Sequence, residues 1–192
     1  MTDVVGQVSA ASVQAQADQI AGTVRSTVAE DKFVFWAGID GTKNIADNPS
    51  YSQDKQSTAI GALKDRIIQG DDVKIGYYPS VGTPGTQPLS SVSPYYQSEA
   101  TARQIIRDYA TAADKWLGDN PGKTGADLNL MMATFSRGSV TGAMVSQILA
   151  QEGLVLDGKI LIPPGEVTIA AVLVISPVKE LAPISWTENR RR

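Results

Sequence analysis

The chain has 192 residues, of which 42% are hydrophobic and 19% charged, and 17 Lys and Arg against 20 Asp and Glu give a net charge of −3. This composition predicts one soluble globular domain, and the charge argues against binding of nucleic acid or of an anionic membrane surface by bulk charge. The chain contains no Cys and no His, which excludes disulfides, thiolate and imidazole metal ligands, and a triad completed by its own His. We therefore expect no metal and no cofactor.

The first residues of the sequence show no recognisable targeting signal. They lack the basic region and the uninterrupted apolar run of a cleaved leader, and no stretch of the chain approaches 18 apolar residues. We expect synthesis in the cytoplasm, no transmembrane segment, and a route without a cleaved leader for any secretion.

Strand and helix patterns alternate along the chain. The predicted strands are 33–39, 73–78, 128–135 and 167–175, and the predicted helices are an amphipathic segment within 8–28, then 59–68, 97–117 and 139–151. The strands are mostly apolar and do not alternate strictly with polar residues, as in strands buried on both faces. This order is typical of βαβ units, so the sequence predicts an α/β fold with a mostly parallel sheet and helices on both faces.

Three regions are expected along the chain. Residues 1–30 form a helical N-terminal segment, 31–180 the α/β domain, and 181–192 a polar tail that ends in three arginines. Within the domain, residues 79–94 form a loop of Pro, Gly and Ser, and a loop of this length is usually functional or mobile.

Two sequences that resemble phosphate-handling motifs fail on inspection. Residues 118–124 end in Gly-Lys-Thr but lack the first glycine of a phosphate-binding loop, and they leave a helix where such a loop must leave a strand. The segment Ile39-Asp40-Gly41-Thr42 is similar to a phosphatase motif, but Gly38 stands where that motif has its nucleophilic Asp. Neither segment supports phosphoryl transfer.

A third motif fits its context. The segment Thr134-Phe135-Ser136-Arg137-Gly138 lies between a predicted strand and a predicted helix, which is the setting of a nucleophile elbow. A sharp turn there lifts a serine hydroxyl above the strand end, and the N–H of the next residue can bind an oxyanion. An ordinary strand–helix turn is the alternative interpretation.

Three segments occur in a characteristic order. They are Ile39-Asp40-Gly41-Thr42-Lys43-Asn44, the run from Tyr77 through Gly82 to Thr83, and Phe135-Ser136-Arg137-Gly138. This order resembles the α/β-hydrolase domain of bacterial type VI secretion phospholipase effectors and their uncharacterised relatives, over about residues 31–180.

The resemblance implies a role for each matching residue. Ser136 would be the nucleophile and the Arg137 N–H an oxyanion donor, while the pocket would be lined by Asp40, Gly41, Thr42, Asn44, Gly82 and Thr83. It also implies an acyl ester or phospholipid substrate, and a protein partner such as a secretion apparatus or an immunity protein.

The catalytic set is incomplete in this chain. Ser176 stands where the family tends to carry an acid, and none of the 56 residues after Ser136 is a His. Either the chain stops before the C-terminal part of the fold that supplies the base, or it is a degenerate relative; Asp40, Lys43 and Glu180 are the weak alternatives. Two functions stay open: a serine esterase or lipase-like toxin domain, and a non-catalytic module of the same fold that binds a partner protein or lipid.

Overall fold

The computed structural model describes residues 31–41, 45, 58–79 and 94–175. In these ranges the chain forms six strands, three α-helices and one 3₁₀ helix. In chain order they are β1 (Phe33–Ile39), α1 (Ala59–Lys64), β2 (Val73–Tyr78), α2 (Pro94–Asp119), the 3₁₀ helix (Gly125–Asp127), β3 (Leu128–Phe135), α3 (Gly138–Glu152), β4 (Leu154–Leu156), β5 (Lys159–Ile162) and β6 (Ile169–Ile175).

The central sheet has four strands in the order β2-β1-β3-β6, and all of its pairings are parallel. The prediction of an α/β fold around a parallel sheet is therefore confirmed. The chain moves from β1 to β2 on one side and then crosses back to β3 on the other side of β1. Crossover connections between parallel strands are almost always right-handed, so two crossovers that run in opposite directions along the sheet place their helices on opposite faces.

Helices cover both faces, as that rule requires. Alternate side chains of a strand point to opposite faces, so Phe33 and Phe35 pack with α2 and α3, whereas Trp36 packs with Ile60 of α1. On the α2 face, the ring of Phe33 stacks on that of Tyr109 at a centroid distance of 6.4 Å. This two-sided burial explains why all seven residues of β1 are buried and why its sequence is apolar without alternation.

The helix predicted over residues 59–68 is shorter in the structure. After Lys64 the pattern of hydrogen bonds tightens: the N–H of Arg66 donates to the oxygen of Leu63, and that of Ile67 to the oxygen of Lys64. These i to i−3 bonds belong to turns of 3₁₀ type, which commonly end an α-helix. The apolar spacing continued past the true end of the helix.

A β-hairpin formed by β4 and β5 was not predicted. Its strands pair antiparallel, and the turn residues Asp157 and Gly158 both have positive φ, at 48° and 84°. Two successive positive φ values are typical of a type I′ turn, for which Asp-Gly is a preferred sequence. The Asp-Gly pair between short apolar runs was thus the available signal for this hairpin.

The segment 118–124 leaves a helix, as the sequence predicts. Helix α2 ends at Asp119, and Thr124 caps the 3₁₀ helix through a reciprocal pair of hydrogen bonds with Asp127. The predicted helix within 8–28, most of the loop 79–94 and the tail 181–192 lie outside the described residues. Among the helices that are described, none is long and apolar enough to cross a membrane.

Candidate active site

The carboxyl ends of β1 and β3 lie next to each other in the sheet. These strands are neighbours in parallel register, with Ile39 opposite Thr134, so their carboxyl ends lie side by side. They are also the pair at which the strand order reverses, since β2 follows β1 on one side and β6 follows β3 on the other. Crevices at such reversal points are the usual ligand sites of open α/β sheets.

Ser136 occupies a strained turn between β3 and α3. Its φ is +51°, in the left-handed region that residues other than glycine seldom adopt, at a typical cost of about 1–3 kcal/mol. Two hydrogen bonds hold the turn. The Ser136 N–H donates to the main-chain oxygen of Ile175 at 3.0 Å, and the Ser139 hydroxyl donates to the main-chain oxygen of Ser136 at 2.6 Å. Strain of this kind at a half-buried serine is the geometry that a nucleophile elbow requires.

Gly138 lets the elbow approach the end of β1. A Cβ atom at this position would lie 2.5 Å from the main-chain oxygen of Ile39 and 2.8 Å from that of Asp40. Both distances are too short for a real Cβ contact, and main-chain atoms cannot turn aside as a flexible side chain can. The glycine two residues after Ser136 is therefore a requirement of close packing between the two loops.

Thr134 and Gly142 share the space on the other side of the turn. Nucleophile elbows usually have a glycine two residues before the serine, where this chain has Thr134, which is 1% exposed. Its methyl group lies 2.9 Å from the place where a Cβ of Gly142 in α3 would stand. Gly142 in α3 thus leaves space for the side chain of Thr134, which replaces the usual glycine before the serine.

The N–H of Arg137 is available as a hydrogen-bond donor. Within the described part of the chain it donates to no main-chain or side-chain acceptor, and it directly follows Ser136 at the start of the 15-residue helix α3. The positive end of a helix stabilises negative charge in this position. The arrangement can bind an oxyanion formed next to the serine, and the Arg137 side chain is exposed beside it.

The side chain of Asp40 is fully buried, with 0% of the residue exposed to solvent. One carboxylate oxygen accepts the N–H of Gly41 at 2.9 Å, and the other accepts the hydroxyls of Thr58 at 2.5 Å and Tyr77 at 2.8 Å. The burial of the carboxylate and its three donors fix the main chain directly after β1, and the implied place of Asp40 in the pocket stays a prediction.

Gly41 does lie against the candidate nucleophile. A Cβ atom at Gly41 would lie 2.5 Å from the Phe135 ring and 3.0 Å from the Cβ of Ser136. Its N–H is already engaged by Asp40 and is not available to an oxyanion.

Four predicted pocket residues, Thr42, Asn44, Gly82 and Thr83, lie outside the described residues, and so does Ser176. Their roles stay predictions. Conversely, the sequence interpretation missed Thr58 and Gly142. Thr58 had a signal, since Thr directly before an apolar helical pattern is a common N-cap, and its hydroxyl does accept the Gly61 N–H at 2.9 Å.

No general base reaches Ser136 within the described ranges, where the serine hydroxyl has no hydrogen-bond partner. The same residues contain no group of three or more acidic side chains placed to hold a metal ion. Comparison with family models, curated proteins and solved structures finds no match to this chain.

Proposed function

We propose that this chain is a serine hydrolase domain of the α/β-hydrolase type, which acts on acyl esters, with phospholipids as the substrate class implied by its motifs. The observation that carries the proposal is the positive φ of Ser136 in a strand–helix turn at the point where the strand order reverses. The close packing at Gly138 and the free N–H of Arg137 among the described residues support it.

The reaction is an acyl transfer to the serine and then to water. The Ser136 oxygen attacks the ester carbonyl, the bond to the alcohol breaks, and the hydroxyl proton ends on the departing alcohol. The Arg137 N–H and the positive end of α3 stabilise the oxyanion that forms in between. Water then cleaves the acyl-serine and releases the acid.

The absence of a histidine limits the rate of ester hydrolysis that this chain can reach. Without a base near neutral pH, an oxyanion hole and substrate binding alone leave about 10³-fold acceleration over water, as in hydrolases whose triad has been removed. A higher rate would require a base outside the described residues or in another chain.

Turnover of a short fluorogenic ester and of a labelled phospholipid tests the proposal. The chain is compared with Ser136→Ala and with the matched control Ser146→Ala, which removes a hydroxyl that donates to the oxygen of Gly142 within α3. We expect turnover in the unsubstituted chain and in Ser146→Ala to exceed the residual level that binding and the oxyanion hole alone allow, and we expect Ser136→Ala to fall to that level. Equal and negligible rates for all three proteins would contradict the proposal.

A second function is a non-catalytic module of the same fold that binds a partner protein or a lipid. The absence of His favours it, as do exposed aliphatic side chains within β6 and β5, such as Val172 at 48% and Ile160 at 63%. Negligible turnover that is insensitive to Ser136→Ala is the outcome that this second function predicts.

A further inference from the structure

The buried carboxylate of Asp40 joins three elements that meet under the elbow. Asp40 directly follows β1, Thr58 is the N-cap of α1, and Tyr77 lies near the end of β2. A charged group is almost never fully buried unless its hydrogen bonds are satisfied, because it loses its hydration. Here both carboxylate oxygens are used, one by the main chain and one by two hydroxyls.

In the unsubstituted chain the Thr58 hydroxyl both accepts and donates a hydrogen bond. It accepts the Gly61 N–H at the start of α1, so its own proton is free to point at Asp40. The network therefore couples the beginning of α1 to the end of β1. The N–H of Asp40 adds a main-chain bond to the oxygen of Tyr78 at 3.0 Å, which fixes the same point to β2.

Through Gly41 this network reaches the candidate nucleophile. The Gly41 N–H is held by Asp40, and a Cβ atom added to Gly41 would lie 2.5 Å from the Phe135 ring and 3.0 Å from the Cβ of Ser136. We infer that Asp40 is a positioning residue, which holds Gly41 against the Ser136 elbow and so sets the reactivity of the serine. The inference rests on the proposed function only for its effect on reactivity.

The pair of variants Asp40→Asn and Asp40→Ala separates positioning from base catalysis. Asn keeps an oxygen for the Gly41 N–H, and its NH₂ group can donate to the Thr58 and Tyr77 oxygens, since hydroxyls both donate and accept. Asn cannot act as a base, whereas Ala removes the whole network. A positioning role therefore predicts rescue by Asn, and a base role predicts that both variants fail alike.

The first readout is the rate at which a fluorophosphonate labels Ser136 in the full chain, measured across pH. We expect Asp40→Asn to stay within about threefold of the unsubstituted chain with the same pH profile, and Asp40→Ala to lose about 10–10²-fold, the cost of a displacement of about 1 Å at a reacting group. Equal losses in the two variants, or a changed pH profile in Asp40→Asn alone, would overturn the inference.

The second readout does not depend on any activity. Hydrogen exchange of the Gly41 amide should be slow in the unsubstituted chain and in Asp40→Asn, and faster in Asp40→Ala. If Asp40→Ala does not fold, Tyr77→Phe removes one donor to the same carboxylate and should speed Gly41 exchange by a smaller factor. An unlabelled Ser136 with the expected exchange pattern would refute the proposed function alone, whereas unchanged Gly41 exchange in every folded variant would refute the positioning role.

Discussion

Replacing Gly138 with Ala is a direct test of the close packing between the elbow and β1. Gly138 is the first residue of α3. At a helical site without steric constraint, replacing Gly with Ala would stabilise the protein by up to about 1 kcal/mol. Here the new Cβ would meet two main-chain oxygens at 2.5 and 2.8 Å. Overpacking against atoms that cannot rotate away costs about 3 kcal/mol.

The two effects leave a net loss of about 2 kcal/mol in the free energy of unfolding. In a chain of this size, that loss lowers the melting temperature by about 4–8 °C. Urea denaturation followed by far-ultraviolet circular dichroism measures it, because a shift of the midpoint at constant slope reports stability alone.

Gly118 provides the matched control. It lies in α2, is exposed, and a Cβ there would meet nothing within 4 Å. Gly118→Ala should therefore stabilise the chain by about 0.5–1 kcal/mol. If Gly138→Ala is as stable as the unsubstituted chain, or gains as much as Gly118→Ala, the close approach described above is wrong.

Two further predictions concern the surroundings of the site. Gly142→Ala alone should destabilise the chain, because its new methyl group would collide with the methyl group of Thr134. Thr134→Ala should relieve this collision, so a double-mutant cycle of urea denaturation should give a coupling free energy of about 0.5–3 kcal/mol. Strictly additive losses of stability would contradict the shared space. Burial, and then the hydrogen bond to Asp108, raise the pKa of Tyr78 above its ordinary value. The folded state therefore favours the protonated phenol, and its contribution to stability is complete below about pH 10 and is lost as the pH rises further. Urea midpoints between about pH 9 and pH 11 should fall more steeply for the unsubstituted chain than for Tyr78→Phe, and identical slopes would refute this origin.

The sheet was predictable because its strands carry a strong local signal. β1, β2 and β3 have the predicted bounds. β1 is a continuous apolar run that is buried on both faces, whereas β2 contains Lys74 and is only partly buried. The ends of the helices were less predictable. The apolar spacing after Lys64 resembles that of a helix, although the main chain has already tightened into turns there.

At the site, the sequence identified the turn but not what holds it. The structure shows why Gly138 stands two positions after Ser136, since a Cβ atom there would collide with the main-chain oxygens of Ile39 and Asp40. The role of Asp40 could not be derived from sequence, because its partners Thr58 and Tyr77 lie 18 and 37 residues away and become neighbours only when the sheet forms. The same holds for the space that Gly142 provides.

The most direct test of the central claim is to detect the acyl-serine itself. The chain is incubated with an activated ester, its intact mass is measured, and the modified peptide is mapped, with Ser136→Ala and Ser146→Ala treated in parallel. The account predicts one acyl group per chain, carried by Ser136, absent from Ser136→Ala and retained in Ser146→Ala. No adduct on the unsubstituted chain, or an adduct that persists in Ser136→Ala, would contradict it.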